Sequence, residues 1–419
     1  MSKKLKIPTL RFKEFSGELE EKKFEDIFNF STGKNIKQNE ASPEFETPCV
    51  RYGELYHMYG EVISKIINRT NLDKLELLFS EGNEILLPSA GEDPLDIGSA
   101  SALTVANVAI GRTINILKPL SDNVYSQKYV AYYINQKLRK KISTLAKGVS
   151  ISNVYNSDLK KLNINLPCLS EQEKIASFLT SIDKKIEQLS KKDELLESYK
   201  KGVMQKIFSQ KIRFKDDEGN GYSNWEEKKL GEIGRFQTSS IDKLSKENEN
   251  KVFLINYMDV YRHQNINNQT IKDFQIVTAK HSQIESCNLK EGDILFTPSS
   301  ETPDDIGHSV VIFEDLNNAV FSHHLMRFRP SIKINILYSH YFCNIPSVLK
   351  QLAKFATGST RFTISVKSFS LVTIQLPCIE EQTKIANFLS SIDTKISQNR
   401  KALEETKKFK KALLQQMFV

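Results

Sequence analysis

The sequence predicts an α+β protein made of two pseudo-twofold-related copies of one unit, each a globular domain followed by a long helix. Three observations lead there: an internal repeat, a heptad pattern closing each copy, and short β-rich runs mixed with helical stretches before it. A shift of 210 residues lays positions 159–208 on 369–418 without a gap, and 23 of those 50 positions are identical. The core reads Leu166-Pro-Cys-Leu-Ser-Glu-Gln-Glu-Lys-Ile-Ala-Ser-Phe-Leu-Thr-Ser-Ile-Asp183 in the first copy and Leu376-Pro-Cys-Ile-Glu-Glu-Gln-Thr-Lys-Ile-Ala-Asn-Phe-Leu-Ser-Ser-Ile-Asp393 in the second. Fainter matches run upstream: Arg11-Phe12-Lys13 with Arg213-Phe214-Lys215, Glu20-Glu-Lys-Lys23 with Glu226-Glu-Lys-Lys229, Tyr52 with Tyr257, and Asp96-Ile-Gly98 with Asp305-Ile-Gly307. Two copies and no more imply a pseudo-twofold molecule and not a solenoid.

Within each copy the elements follow from local pattern. Runs such as Asp293-Ile-Leu-Phe296 and Ser309-Val-Val-Ile-Phe313 lie between turn signals and read as strands. Tyr129–Leu145 and Tyr338–Phe355 read as helices. The expected division is a first domain over 1–168, its helix over 169–210, a second domain over 211–378 and its helix over 379–419. Pro167 and Pro377 end the preceding strands, because a residue before proline avoids the helical region. Ser170 with Glu173 has the spacing of a capping box, and the second copy puts the anion Glu380 at the same place.

Beyond these starts, apolar residues fall four and three apart: Ile175, Leu179, Ile182, Ile186, Leu189, Leu196, Val203 and Ile207, then Ile385, Leu389, Ile392, Ile396, Leu403, Leu413 and Met417. Polar residues interrupt this seam at Asp193, Lys200, Asn399 and Lys410, which lowers stability but specifies register. A helix of about 38 residues is a rod of roughly 57 Å that hides one stripe only. It needs a partner, and each copy can supply the other's.

Composition narrows the function classes. The 419 residues carry a formal net charge of +8, split as 31 basic against 27 acidic residues in 1–210 and 28 against 24 in 211–419, so the excess is no terminal tail. No apolar run approaches a membrane span, and the basic start Met1–Lys6 lacks the apolar stretch of a signal peptide. Five cysteines without a C-x-x-C pair point to a reducing, cytoplasmic setting and to neither a zinc site nor a disulfide framework.

The positive charge is clustered. No acid occurs between Asp122 and Asp158, where Lys128, Lys137, Arg139, Lys140, Lys141 and Lys147 alternate with tyrosines. None occurs from Leu316 to Ile379, where Arg327, Arg329, Lys333, Lys350, Lys354, Arg361 and Lys367 lie. Two aligned windows free of carboxylate suit a surface that neutralises phosphates, since acids there would cancel the gain from counterion release. Each window holds a glycine loop, Ala146–Asn153 and Ala356–Thr363. Gly148 and Gly358 allow close backbone approach or positive φ, although a helix C-cap would explain them as well. The candidate DNA contacts are Arg51, Tyr52, Lys147, Gly148, Ser150, Ser152 and Asn153 in the first copy, and Tyr257, Gly358, Ser359, Thr360, Arg361, Thr363 and Lys367 in the second.

Three rival readings bear on the same residues. Pro303-Asp304-Asp305 could hold Mg²⁺ in a nuclease, but the matching Asp93 and Asp96 follow a strand in a turn, and a turn role is the simpler account. His323-His324 could bind a metal, but the first copy has Thr113-Ile114 there and no third ligand stands out. A coiled-coil scaffold that binds only proteins would account for the helices without DNA readout, and steep salt dependence of binding separates the two.

The order of domain, P-C-x-x-E-Q-x-K-I-A-x-F-L-x-S-I-D helix, domain and same helix resembles the specificity subunit of type I restriction–modification systems. Leu10-Arg-Phe-Lys-Glu-Phe15 and Glu226-Glu-Lys-Lys-Leu-Gly-Glu-Ile233 look like that family too, and the resemblance covers essentially the whole chain. It implies two DNA target recognition domains separated by an antiparallel coiled coil. It further implies a bipartite DNA site read one half per domain, with helix length setting the gap. Two modification subunits would carry S-adenosylmethionine and methylate adenine N6. Where present, two restriction subunits would use ATP and Mg²⁺ to translocate and cut. This chain would then bind no cofactor and perform no catalysis, in keeping with the lack of a G-x-G-x-x-G turn or a phosphate-binding loop. Phe178 and Phe388 are equivalent candidates for docking the modification subunits on the helices.

Overall fold

The computed structural model describes residues 7–148 and 150–419; the basic start Met1–Lys6 lies outside the described residues. By internal packing the chain divides into two units. The first runs to Lys191 and takes in Arg400–Val419; the second is Lys192–Asn399. The two long helices, Leu169–Phe208 and Ile379–Met417, each begin in one unit and end in the other.

In the first unit a five-stranded sheet runs Phe28–Thr32, Ile114–Pro119, Glu84–Pro88, Ser101–Leu103, Val62–Ile63, antiparallel except for the last pair. Its central strands are apolar on both faces: Ile85, Leu86, Leu87, Ile114, Ile116 and Leu117 are all buried. One face receives the helix Gln127–Tyr133, which continues through a π-helical turn, Ile134–Leu138, into Arg139–Leu145. Tyr125, Tyr129, Tyr132 and Tyr133 belong to this core. The alternation of tyrosine with lysine seen in the sequence is therefore the inner and outer side of a helix.

The second unit repeats the plan with four strands, Gly234–Thr238, Met326–Pro330, Ile294–Phe296 and Ser309–Val311. A separate three-stranded sheet, Gln275–Ala279, Asn250–Ile255 and Ala319–Phe321, has its own apolar cluster. Two of the window's arginines are committed to contacts within the fold, although only Arg327 is buried. Arg327 is 5% exposed, and Arg329 pairs at 2.6 Å with the fully buried Asp293. Part of that acid-free stretch is thus a core strand and its internal ion pair.

The repeated motif has a structural purpose that spacing alone did not disclose. Glu20–Lys23 pairs antiparallel with Asn163–Leu166, and Glu226–Lys229 pairs with Thr373–Leu376 in the same register. These strands stop before Pro167 and Pro377, as the proline rule predicts. Next, Glu171 is buried and takes Arg11 at 2.7 Å; Glu381 takes Arg213 at 2.6 Å. Gln172 donates to the Pro167 carbonyl and accepts from the Ser126 amide, while Gln382 does the same with Pro377 and Asn335. The pair Glu-Gln therefore ties the N-terminal segment, the strand end and a neighbouring helix start to one helical turn. The expected capping box does not form. The first long helix begins at Leu169, with the Cys168 carbonyl accepting from the Glu171 and Gln172 amides, so Ser170 already lies inside the first turn.

Most of the seam is buried as the heptads predict, against two surfaces, while Ile186, Leu196, Val203 and Leu403 are half-buried. In the first unit Ile175, Leu179 and Ile182 pack with Leu413, Met417 and Phe418 from the end of the second helix and with the domain core. In the second unit Ile385, Leu389, Ile392 and Ile396 pack with Ile207 from the end of the first. Early residues of one helix beside late residues of the other make the pairing antiparallel within each unit. Each fully buried Leu or Ile side chain is worth about 1.5–3 kcal/mol over exposure, so truncating Leu179, which is 0% exposed, would open a core cavity.

Candidate nucleic-acid interface

Both glycine loops fold on one frame. Lys147 and Asn153 exchange two backbone hydrogen bonds of 2.9 and 2.8 Å, and Thr357 and Thr363 exchange two of 3.0 and 2.9 Å. Ser152–Asn153 then pairs with Ala90–Gly91, and Phe362–Thr363 with Ser299–Ser300. The preceding helices end at Leu145 and Phe355, so neither glycine is a helix cap. Gly148 has φ +133° and Gly358 φ +144°; a Cβ on either would lie 2.0 or 2.1 Å from a carbonyl oxygen across the turn. Only glycine allows that closure.

In the first unit Lys147, Gly148 and Ser150 are exposed, Asn153 is half-buried and Ser152 is buried. The Lys147 ammonium pairs with Asp158 at 3.1 Å, the acid that closes the window, so its charge is partly engaged. Arg51 is tied to the buried Glu54 at 2.8 Å, which in turn takes Asn68. Tyr52 is 39% exposed and lines a cleft with Ile151, Asn153 and Arg112. Glu92 and Asp96 share that cleft, so its lining is mixed in charge. Arg112 is exposed and also joins Arg51, Tyr52 and Lys37 around an adjoining cleft. Sequence reasoning missed it, because a single arginine before a strand carries no pattern.

In the second unit Gly358, Ser359, Thr360, Arg361, Thr363 and Lys367 are all exposed. Arg361 donates to the Ser299 hydroxyl at 3.2 Å, and the Tyr257 hydroxyl donates to the Ser299 carbonyl at 2.9 Å. The structure thus gathers Arg361 and Tyr257, 104 residues apart in sequence, on Ser299. Burial first, then the nearby Asp305 and Tyr261, hold the Tyr257 hydroxyl above its usual pKa. Tyr257 stacks on Tyr261, whose hydroxyl bonds Asp305. Asp93 caps the helix Pro94–Ile97 through the Leu95 amide, whereas only the backbone amide of Asp305 closes the turn after Thr302, and its carboxylate is bonded to Tyr261 and His308. The His323 and His324 rings lie 3.9 Å apart, and no cluster of three or more metal-ligating side chains occurs among the described residues.

Phe178 and Phe388 are half-buried, edge-on against Phe12 and Phe214 at 5.8 and 5.6 Å. No helix among the described residues is long and apolar enough to cross a membrane.

Comparison with known proteins gives these features a context. Among curated proteins, the chain is 26% identical over 377 residues to the specificity subunit of the type I restriction enzyme MjaVIII from Methanocaldococcus jannaschii, covering 84% of this chain and 81% of that one. It is 21% identical over 388 residues to the EcoKI specificity subunit of Escherichia coli, covering 88% and 81%. A crystal structure of the type I restriction–modification S subunit from M. genitalium shares the fold, with a TM-score of 0.61 at 18% identity and 99% of each chain covered. The family model for the type I restriction modification DNA specificity domain matches residues 17–198 and again residues 222–407. One match falls on each copy of the repeat, and so the chain belongs to the family of type I restriction–modification specificity subunits.

Proposed function

We propose that this chain reads a bipartite DNA site, one half per globular unit, across a gap set by the paired helices. The observation that carries the reading is one loop frame built twice, each time with exposed polar groups at its tip but with different side chains. Ser150 and Asn153 with Arg51, Tyr52 and Lys147 would make the first set of contacts. Ser359, Thr360, Arg361 and Thr363 with Tyr257 and Lys367 would make the second. Arginine matches the two acceptors of guanine, asparagine the donor–acceptor edge of adenine, and hydroxyls and backbone amides suit phosphate.

On this reading the chain is a non-catalytic subunit. Two modification subunits would methylate adenine N6 from S-adenosylmethionine, and restriction subunits with ATP and Mg²⁺ would cut unmodified DNA. The two-ring patches Phe178–Phe12 and Phe388–Phe214 would dock the modification subunits at equivalent places.

The test is methylation mapping by single-molecule sequencing in cells that express a matching modification subunit with and without this chain. N6-methyladenine should appear only with the chain, at a two-part motif with a fixed gap. A stable complex that gives no chain-dependent methylation would overturn the reading and leave a protein-binding scaffold.

A further inference from the structure

Each unit contains a three-residue node that ties its globular part to both long helices at once. In the first unit Tyr132, on the helix Gln127–Tyr133, donates a hydrogen bond to Asp183 of the first long helix. Lys410 of the second long helix pairs with the same carboxylate at 2.6 Å and lies 5.5 Å from the Tyr132 ring centroid. In the second unit the helices exchange roles. Tyr341, on the helix Ile336–Phe342, donates to Asp393 of the second long helix at 2.7 Å. Lys200 of the first pairs with Asp393 at 2.5 Å and lies 5.7 Å from the Tyr341 ring.

Lys200 and Lys410 are two of the residues that interrupt the heptad seam, at positions where the packing calls for an apolar side chain. Taking a lysine out of water is costly, and an ion pair in such a place adds little net stability over a hydrophobic replacement. A device repeated twice at that cost is better explained by geometry. The Glu-Gln turn fixes each domain on the start of the helix that follows it. The end of the other long helix, however, packs there mainly through apolar residues, and apolar contacts are non-directional and resist slip or roll less. A slip of one helical turn is about 5.4 Å, which exceeds the roughly 3.4 Å rise of one DNA base pair.

We infer that Tyr132–Asp183–Lys410 and Tyr341–Asp393–Lys200 are positioning nodes: they hold each reading domain at one axial and rotational setting on its helix segments, and so decide how strictly the gap between half-sites is measured. The inference rests on the bipartite site proposed above. The nodes are not equal. Lys410 also pairs with Glu61 of the globular part at 3.0 Å, which gives the first node a second tether. In the second, His340 lines a cleft with Lys200 and Tyr341.

The experiment uses the full chain with its modification subunit and duplexes carrying the mapped half-sites at the native gap and at gaps one base pair shorter and longer. The measured quantity is the ratio of methylation rate at the native gap to that at the altered gaps. Combining Lys410→Met with Lys200→Met should compress this ratio by about tenfold or more, while the base preference within each half-site stays as in the wild type. Lys410→Met alone should compress it more than Lys200→Met. Tyr132→Phe with Tyr341→Phe removes only the hydroxyls and should act in the same direction to a smaller extent; it decides the matter if the lysine variants fail to fold. A folded variant pair that keeps the wild-type ratio overturns the nodes. A wild type that shows no gap preference would instead overturn the bipartite reading itself.

Discussion

Three residues beyond its glycine, the loop of the first unit presents Ile151, 58% exposed; at the same place the loop of the second presents Arg361, which bonds Ser299. The backbones beneath them match closely. The carbonyls of Ile151 and Arg361 lie 2.0 and 2.1 Å from where a Cβ on Gly148 or Gly358 would be, and both loops close with the same pair of backbone bonds. The frame is held by a glycine and main-chain groups, so the tip side chains are not needed to form it. A loop of this kind can change what it contacts without being refolded, and the two units can differ in readout while sharing a fold.

The helix starts show the opposite arrangement, identical side chains with unequal support. Glu171 and Glu381 are both buried and both bound by an arginine, but Glu381 also receives the Trp225 indole N–H at 2.8 Å. Leu19 stands at the matching place in the first unit and offers no such donor. Removing one partner of a buried ion pair costs about 3–5 kcal/mol, because the other charge is left uncompensated. Arg11→Ala should therefore be the most damaging substitution in this group, and Arg213→Ala should cost clearly less. Chemical denaturation checks this, with Trp225, the sole tryptophan, reporting the second unit and ellipticity both. Equal losses would mean that the indole gives Glu381 no useful support.

Smaller effects should appear at the loop tips. Arg361→Ala should lower affinity by about 1–3 kcal/mol for sites with the second unit's cognate half-site and relax base preference there alone. Competition binding against half-site mutants at fixed salt measures it, and equal relaxation in both half-sites would break the idea of separate reading. Ile151→Ala should do less, since an apolar side chain offers contact with a thymine methyl and no bidentate bond.

The smallest difference should be in response to acid. Six of the seven histidines lie in the second unit. Burial, as the first cause in each case, holds His263, His324 and His340 below the ordinary value of 6.5. The folded second unit therefore binds fewer protons than its unfolded chain around that pH. Its stability from these groups is full above 6.5 and is lost as pH falls below it toward the lowered folded values. Thermal unfolding followed at Trp225 should show the second unit weaken over that interval. An unchanged second unit would show that its histidines titrate as they do in the unfolded chain.

Much of the fold was legible because it is written twice. The heptad residues at both ends of each helix form a buried seam, with Ile186, Leu196, Val203 and Leu403 half-buried along the middle, and the strands before Pro167 and Pro377 end where proline requires. The charge reading transferred less well. Tyr129, Tyr132 and Tyr133 recur at helical spacing, a pattern that indicates a core face as much as a binding face, and the core is where they lie. Arg327 and Arg329 answer groups 36 or more residues away, and Arg11 answers Glu171 at a separation of 160. Such pairings depend on tertiary structure, and no local pattern signals them. The same holds for Arg112, which the fold brings into one cleft with Asn153.

One feature of the fold bears on how the protein is made. The core of the first unit includes Leu413, Met417 and Phe418, with the Phe418 ring against Tyr129 at 5.2 Å. A chain synthesised from its N-terminus has all of the second unit, Lys192–Asn399, before it has the last segment of the first. At about 5–20 residues per second, the first unit's apolar slot waits roughly ten seconds or longer for its final helix turns. Ordinarily domains fold in the order in which they are translated. Here the later unit can close first, and the earlier one stays open to wrong partners, including its own repeat, until synthesis reaches the segment that fills it.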